Sequence, residues 1–145
     1  MVTGSTSGLG RAIAVALAGE GAAVVVTGRD QGRGDAVVAE ITEARGSASF
    51  VSADLGDEAA CTNLIETAAA DLGGLTVLVN NAAGGGAADG AVGDITTDAW
   101  EAILRVDLTA PMWCARAAIP HMRRRSATAT SSPTNGWITS KATSA

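Results

Sequence analysis

The sequence predicts an α/β fold, a doubly wound parallel sheet covered by helices on both faces: three layers (α/β/α), and incomplete. Three observations carry this. Short β-branched runs alternate with amphipathic stretches of helical period, a glycine-rich turn follows the first apolar run directly, and glycines close the helical patterns. The 145 residues leave room for a single domain. Hydrophobic residues at 47% against 17% charged supply enough apolar surface for a buried core.

Met1-Val2-Thr3 reads as the end of a first strand. Over residues 9–19, Leu9, Ile13, Ala16 and Leu17 share a helical face, and Gly19 and Gly21 end that helix. Residues 22–27 (AAVVVT) are a continuous apolar run suited to a strand buried on both faces. A helix over 33–45 is stopped by Gly46, and 48–52 form another strand. Asp57 caps a helix running to Leu72, with Leu64, Ile65 and Ala68 facing inward and Gly73-Gly74 as its stop. Residues 75–80 (LTVLVN) make a fourth strand, for a spatial order of 3-2-1-4 with the first strand central.

Beyond the loose stretch Ala82–Ala91, Thr97 caps a long helical pattern through Trp100, Ile103, Leu104, Met112, Trp113 and Ile119. Pro111 and Pro120 should kink or split it. Residues 123–136 change character: Ser126–Gly136 hold no Val, Ile, Leu, Met or aromatic side chain where the alternation asks for a fifth strand. Residues 137–145 start a final helix.

Ten basic and fifteen acidic side chains leave a net charge of −5, which argues against nucleic acid as a partner. The basic run Arg123-Arg124-Arg125 reads as the solvated end of a helix, where cations meet the negative end of the dipole. No apolar run approaches the ~18–20 residues of a membrane helix, and no charged-then-apolar leader opens the chain. A cytoplasmic protein without a membrane partner is therefore expected. Cys61 and Cys114 match no zinc or redox spacing and read as small core residues in a reduced setting, so no metal site is expected. His121 has no acid or nucleophile at paired spacing and reads as a surface or capping residue.

The turn Thr3-Gly4-Ser5-Thr6-Ser7-Gly8-Leu9-Gly10 lies between a strand and a helix, where a dinucleotide pyrophosphate binds. Glycines let the backbone turn sharply and approach the phosphates, and the helix start offers N–H groups and a positive dipole end. Asp54-Leu55 follows the third strand and Asn80-Asn81-Ala82-Ala83 the fourth. In order and spacing over roughly residues 1–122, these three motifs resemble the short-chain dehydrogenase/reductase family of Rossmann-fold, NAD(P)-dependent oxidoreductases. That family carries Thr-Gly-x-x-x-Gly-x-Gly, an Asp beside the adenine, and Asn-Asn-Ala-Gly; here Ala83 replaces the last glycine. The resemblance implies that Gly4, Ser5, Thr6, Ser7, Gly8, Leu9 and Gly10 cradle the cofactor. It also implies that Asp54 contacts the adenine amino group, Leu55 packs on the ring, and Asn81, Ala82 and Ala83 lie along the adenosine ribose.

Cofactor choice turns on the end of the second strand. An acid there favours NAD, whereas a basic residue accommodates a 2′-phosphate. The chain has Gly28-Arg29, so NADP(H) is favoured over NAD(H), although Asp30 could bring a carboxylate to the ribose if the turn shifted.

The catalytic end departs from the family pattern, which the resemblance implies is Asn, Ser, and Tyr-x-x-x-Lys. Asp107 stands at the Asn position, and Trp137 stands at the Tyr position four residues before Lys141. Ser131 and Ser132 lie only six and five residues before Trp137. The 145 residues contain no tyrosine. Indole has no ionisable proton to give, so Trp137 cannot act as the acid or base. Lys141 alone keeps a usable type, in which the family's lysine holds the nicotinamide ribose. The expected function is therefore NAD(P)(H) binding, with the family's hydride transfer between NADP(H) and a small alcohol or carbonyl substrate impaired or absent. Alternatives are a non-catalytic dinucleotide-binding module and a non-functional fragment of a frame-damaged gene. Self-association is expected, because large apolar side chains on the long helix lack the sheet and helices they should pack on.

Overall fold

The computed structural model describes residues 1–84 and 91–130, the side chains of 124–130 excepted. Two full strands, β1 (Ala23–Gly28) and β2 (Ser47–Ser52), pair in parallel from Ala23↔Ser47 to Gly28↔Ser52. On the other side of β1, Val2 bridges both Val26 and Val79, again in parallel. The lateral order is thus β2, β1, the 1–3 segment, then the segment around Val79, which is the expected 3-2-1-4. The first and fourth runs are not regular strands, however. The ladder there is a single bridge between Val2 and Val79, in which Thr3 N–H donates to Val79 O at 2.9 Å and Val79 N–H to Met1 O at 3.0 Å.

Within β1 the side chains alternate between two cores. Val24 and Val26 pack with Val2, Ala14, Ala18, Val37 and Ile41 beneath α1 (Gly8–Gly19) and α2 (Gln31–Glu43). Val25 faces the opposite cluster with Cys61, Leu64, Ile65, Leu75 and Cys114, under α3 (Glu58–Asp71) and α5 (Ala110–Thr130). A continuous β-branched run thereby serves both faces of a central strand, and the three layers follow from it.

The buried face of α1 differs from the expected one. Gly10, Ala14 and Ala18 face inward, whereas Ala16 is exposed and Leu9 is 71% exposed. Small side chains four apart let the helix close down on the turn that precedes it, and Leu9 is left on the rim of a cleft. Helix α2 is capped by Asp30 and stops at Glu43, with Arg45 rather than a glycine taking the left-handed conformation (φ 64) before Gly46. Helix α3 behaves as expected: Asp57 accepts from Ala60 N–H at 2.7 Å, and Leu64, Ile65 and Ala68 are buried.

The long helical pattern is divided. Its cap is Thr96, whose hydroxyl accepts from Ala99 N–H at 3.2 Å, and not Thr97, which is the first residue of α4 (Thr97–Leu104). A π turn over Arg105–Thr109 leads into α5, so the break falls before Pro111 and Pro120 stays inside the helix. Proline lacks the N–H that would close the α-helical bond to residue 107, which favours a local shift to wider i→i+5 bonding. Helix α5 runs to Thr130, so Arg123–Arg125 lie inside it rather than at its end, and 126–130 are helical. Alanine has the highest helix propensity, which is why a stretch unfit for a strand can extend a helix. Residues 131–145 lie outside the described residues.

Ion pairs tie neighbouring helices. Arg11 reaches Glu40 through two bonds of 2.6 and 2.8 Å between α1 and α2. Arg116 pairs with Glu58, and His121 Nε2 lies 3.1 Å from Glu66 Oε1, both between α5 and α3. The acid that pairs with His121 thus comes from another helix, which local spacing could not show.

Candidate functional site

A cleft of about 740 Å³ opens where the strands end and α1 begins. Its floor is the glycine turn. Gly4 has φ +62, and a Cβ there would lie 2.8 Å from Ala82 Cα; a Cβ on Gly10 would run into Gly4 O and Asn81 Nδ2. Both positions require glycine because two backbone segments meet at van der Waals distance. Thr3 fastens them: its hydroxyl accepts Asn81 N–H at 2.9 Å and Ala82 N–H at 3.0 Å. Asn81 Nδ2 reciprocates by donating to Thr3 O at 3.0 Å and Gly4 O at 3.2 Å. The role of Asn81 in this geometry is to lock the two loops together.

Thr6, Ser7, Gly8 and Leu9 line the cleft beside Gly4 and Gly10, but Ser5 does not. Its hydroxyl donates to Val2 O at 2.7 Å and accepts Thr27 N–H at 2.9 Å, fully buried. The expected cofactor contact at Ser5 is therefore corrected: that side chain stitches the turn to β1. Ser7 provides no side-chain cap for α1. The first-turn N–H groups of this 12-residue helix thus have no capping side chain, and the positive end of the dipole lies behind them.

At one end of the cleft lie Gly28, Arg29, Asp30 and Arg33. Asp30 is committed to α2, where Oδ1 accepts Arg33 N–H at 3.0 Å and Oδ2 lies 3.7 Å from Arg33 Nε. Arg33, on the first turn of α2 and not foreseen as a site residue, also lines this end. Asp54 and Leu55 line the adjoining wall; Asp54 Oδ1 accepts Gly56 N–H at 3.0 Å, which fixes the carboxylate in a tight turn. Asn81, Ala82, Ala83 and Gly84 form the opposite wall with Ile103 and Val106, also unforeseen, behind them. Asp107 accepts Gly84 N–H at 2.6 Å, so the residue at the family's Asn position braces this wall. Trp137, Lys141, Ser131 and Ser132 lie outside the described residues.

Comparison with known proteins settles the lineage. The family model for short chain dehydrogenases matches residues 1–130. The chain belongs to the short-chain dehydrogenase family. A 3beta-hydroxysteroid dehydrogenase of Mediterraneibacter gnavus is 38% identical over 123 residues, covering 85% of this chain and 44% of that protein. A metagenomic short-chain oxidoreductase solved with NADP superimposes with a TM-score of 0.79 at 38% identity, covering 86% of this chain and 56% of that one. A short chain dehydrogenase from Burkholderia cenocepacia J2315, also solved with NADP, gives 0.78 at 38% identity over 83% of this chain and 49% of that one. The chain spans about half the length of these relatives. As in the doubly wound fold they share, its cleft lies at the carboxyl ends of the strands.

The cleft fits a dinucleotide on its own evidence. The glycine cradle and the uncapped start of α1 match a pyrophosphate, and Arg29 and Arg33 line the cleft as well. Elsewhere the thiols are shielded: burial first, then the neighbouring Cys114, pushes Cys61 up to about 12, and burial raises Cys114. Buried thiols held protonated are poor nucleophiles and poor ligands. No cluster of three or more His, Cys, Asp or Glu side chains gathers among the described residues.

Proposed function

We propose that this chain binds NADP(H) in the cleft and that the hydride transfer typical of its family, between NADP(H) and a small alcohol or carbonyl compound, is impaired or absent in these 145 residues. The observation that carries the cofactor reading is the junction of Gly4, Gly10 and Asn81 beneath an uncapped helix start, with Arg29 and Arg33 at one end. The preference for NADP(H) over NAD(H) rests on Asp30. Its carboxylate is engaged by α2 and by the Arg33 side chain, so a ribose hydroxyl would have to compete with them for it, whereas Arg29 lines the cleft. The NADP complexes of the two structural relatives support the same choice.

When bound, the dinucleotide supplies a hydride donor or acceptor at its nicotinamide ring. The chain's own part is to hold the pyrophosphate at α1, to take the 2′-phosphate at Arg29, to seat the base beside Asp54 and Leu55, and to keep the 81–84 wall in place through Asp107. Lys141 is proposed to hold the nicotinamide ribose. The impairment rests on composition: with no tyrosine in the chain and tryptophan at the expected position, the proton of the alcohol has no matched partner. Losing such general acid–base help costs ~10²–10⁴ in rate.

A non-catalytic dinucleotide-binding module is the second reading, favoured by a complete cradle beside a missing proton donor. Among the described residues no helix is long and apolar enough to cross a membrane, and a cytoplasmic location is proposed with that in mind. The net charge of −5 supports a protein that does not bind nucleic acid. Titration of the purified chain with NADPH, followed by its fluorescence, tests the reading together with an assay against simple alcohols and ketones. Saturable binding without turnover is expected. Absence of binding overturns the cofactor assignment, and cofactor-dependent turnover overturns the impairment.

A further inference from the structure

Gly28 is the last residue of β1, and it lines the cleft where an acid would favour NAD. Its φ lies outside the left-handed region that favours glycine, so the backbone itself admits a side chain here. Strand alternation would point that side chain to the face of Val24 and Val26, toward α1. Thr6 stands in its way. A Cβ added to Gly28 would lie 2.7 Å from Thr6 Cγ2, 2.9 Å from Thr6 Oγ1 and 3.4 Å from Thr6 Cβ. Threonine carries two heavy atoms on Cβ, and both of the staggered positions that face Gly28 are filled. Rotation about χ1 can clear only one of them at a time. A serine, with a single oxygen, could turn it into the third position, so the obstacle is the branch and not the hydroxyl. The turn is also held against β1: Ser5 N–H donates to Thr27 O at 2.9 Å, and Thr27 N–H donates to Ser5 Oγ at 2.9 Å.

We propose that Thr6 is a specificity-determining residue, whose branched side chain reserves position 28 for glycine and so keeps a carboxylate out of this end of the cleft. This rests on the dinucleotide reading and deepens it: the preference for NADP(H) depends on the glycine turn as well as on Arg29. A carboxylate at position 28 would accept hydrogen bonds from the ribose hydroxyls of NAD(H) and would repel the 2′-phosphate of NADP(H). Glycine removes both effects. The two positions are therefore coupled, since an acid can enter at 28 only when the branch at 6 is gone.

The test is a double-mutant cycle on the full chain: Gly28→Asp alone, with Thr6→Ser, and with Thr6→Val. Melting temperatures and fluorescence titrations with NADH and NADPH are the readouts. Gly28→Asp alone should melt several degrees below wild type and bind both cofactors about tenfold more weakly, because the overpacked turn deforms the cradle. Adding Thr6→Ser should recover most of the melting temperature and leave NADH bound about tenfold more tightly than NADPH. Adding Thr6→Val, which keeps the branch and removes the hydroxyl, should recover neither. If Gly28→Asp does not fold, Gly28→Ala brings the Cβ alone and should show the same order of melting temperatures across the three backgrounds. A Gly28→Asp chain that melts like wild type overturns the proposal while leaving the dinucleotide reading intact. So does rescue by Thr6→Val, failure of rescue by Thr6→Ser, or a rescued chain that still prefers NADPH. A wild-type chain that binds neither cofactor overturns the dinucleotide reading and the role of Thr6 in specificity with it.

Discussion

The carboxylate of Asp30 accepts the backbone N–H of Arg33 at 3.0 Å, which ties the residue after Arg29 to the start of α2. Asp30 stands one residue beyond Arg29, close enough to the end of β1 for the sequence to allow it to reach a ribose. As a helix cap it satisfies one of the four orphan N–H groups of α2 and orients the first turn, on which Arg33 sits. The acid thus supports a basic end of the cleft.

Arg29→Ala should weaken NADPH binding by about tenfold while leaving NADH nearly unchanged, because only the charge-assisted bond to the 2′-phosphate is lost. Asp30→Ala should cost about 1 kcal/mol of stability through the lost cap and leave NADH affinity intact. Fluorescence titration of both cofactors against both variants reads the result. If Asp30→Ala weakens NADH selectively, the carboxylate is a ribose ligand and the preference for NADP(H) is misassigned.

Gly10→Ala and Asn81→Ala attack the same junction from two sides. An added methyl at Gly10 meets Gly4 O and the Asn81 amide, and removing that amide breaks its bonds to Thr3 O and Gly4 O. Each variant should lose roughly 1–3 kcal/mol of stability, by overpacking or by unpaired carbonyls, and each should lose NADPH binding as the cradle opens. Thermal melts and titrations report the two effects. Full affinity in Gly10→Ala would mean that the close approach is dispensable.

The parts of the fold that were legible are those where chemistry and position coincide. Val24–Val26 had to be a strand buried on both sides, and Asp57 ahead of a helical pattern had to be a cap. Gly4, Gly8 and Gly10 ahead of a helix marked the cleft. What stayed hidden depends on distance along the chain or on a choice between equals. Thr96 and Thr97 are equally able caps. Leu9 looked like a core residue because the period cannot show that a cleft occupies that side of α1. Ser5 and Thr3 resemble their neighbours in the turn, yet both turn inward to bind backbone, and only the structure shows it. Arg33 was invisible as a site residue because the first turn of α2 could equally well have turned its side chain away from the cleft.

The cysteines give a prediction with a sign. Burial raises the folded-state value of Cys61 to about 12 from about 9, so between those values the folded protein holds a proton that the unfolded chain releases. This contribution to stability is fully present below pH ~9 and is lost as pH rises through about 12. Chemical denaturation at a series of pH values should show stability falling across that window. Cys61→Ala should flatten the fall. In the native protein at pH 8, an aromatic disulfide reagent should find neither thiol accessible, and denaturant should release both. Rapid labelling of the native protein would contradict the burial.

The last prediction concerns the outer surface of the helical layer. Trp100 on α4 is 52% exposed, Leu108 on the π turn 67%, and Met112 and Ile119 on α5 48% and 46%. Met112 and Ile119 lie seven residues apart and so share one face of α5. Half-exposing each large side chain forgoes roughly 1 kcal/mol of burial, an appreciable share of the ~5–15 kcal/mol that holds a domain together. Covering such a face against another copy recovers part of that energy, so the chain is expected to self-associate at micromolar concentration. Sedimentation should then show species heavier than 14.3 kDa, the mass of one chain. Ile119→Lys with Met112→Lys should shift the population toward that mass, because two cations two turns apart on this face oppose its burial. A single 14.3 kDa species for the wild-type chain would mean that this face is stable in water as it stands.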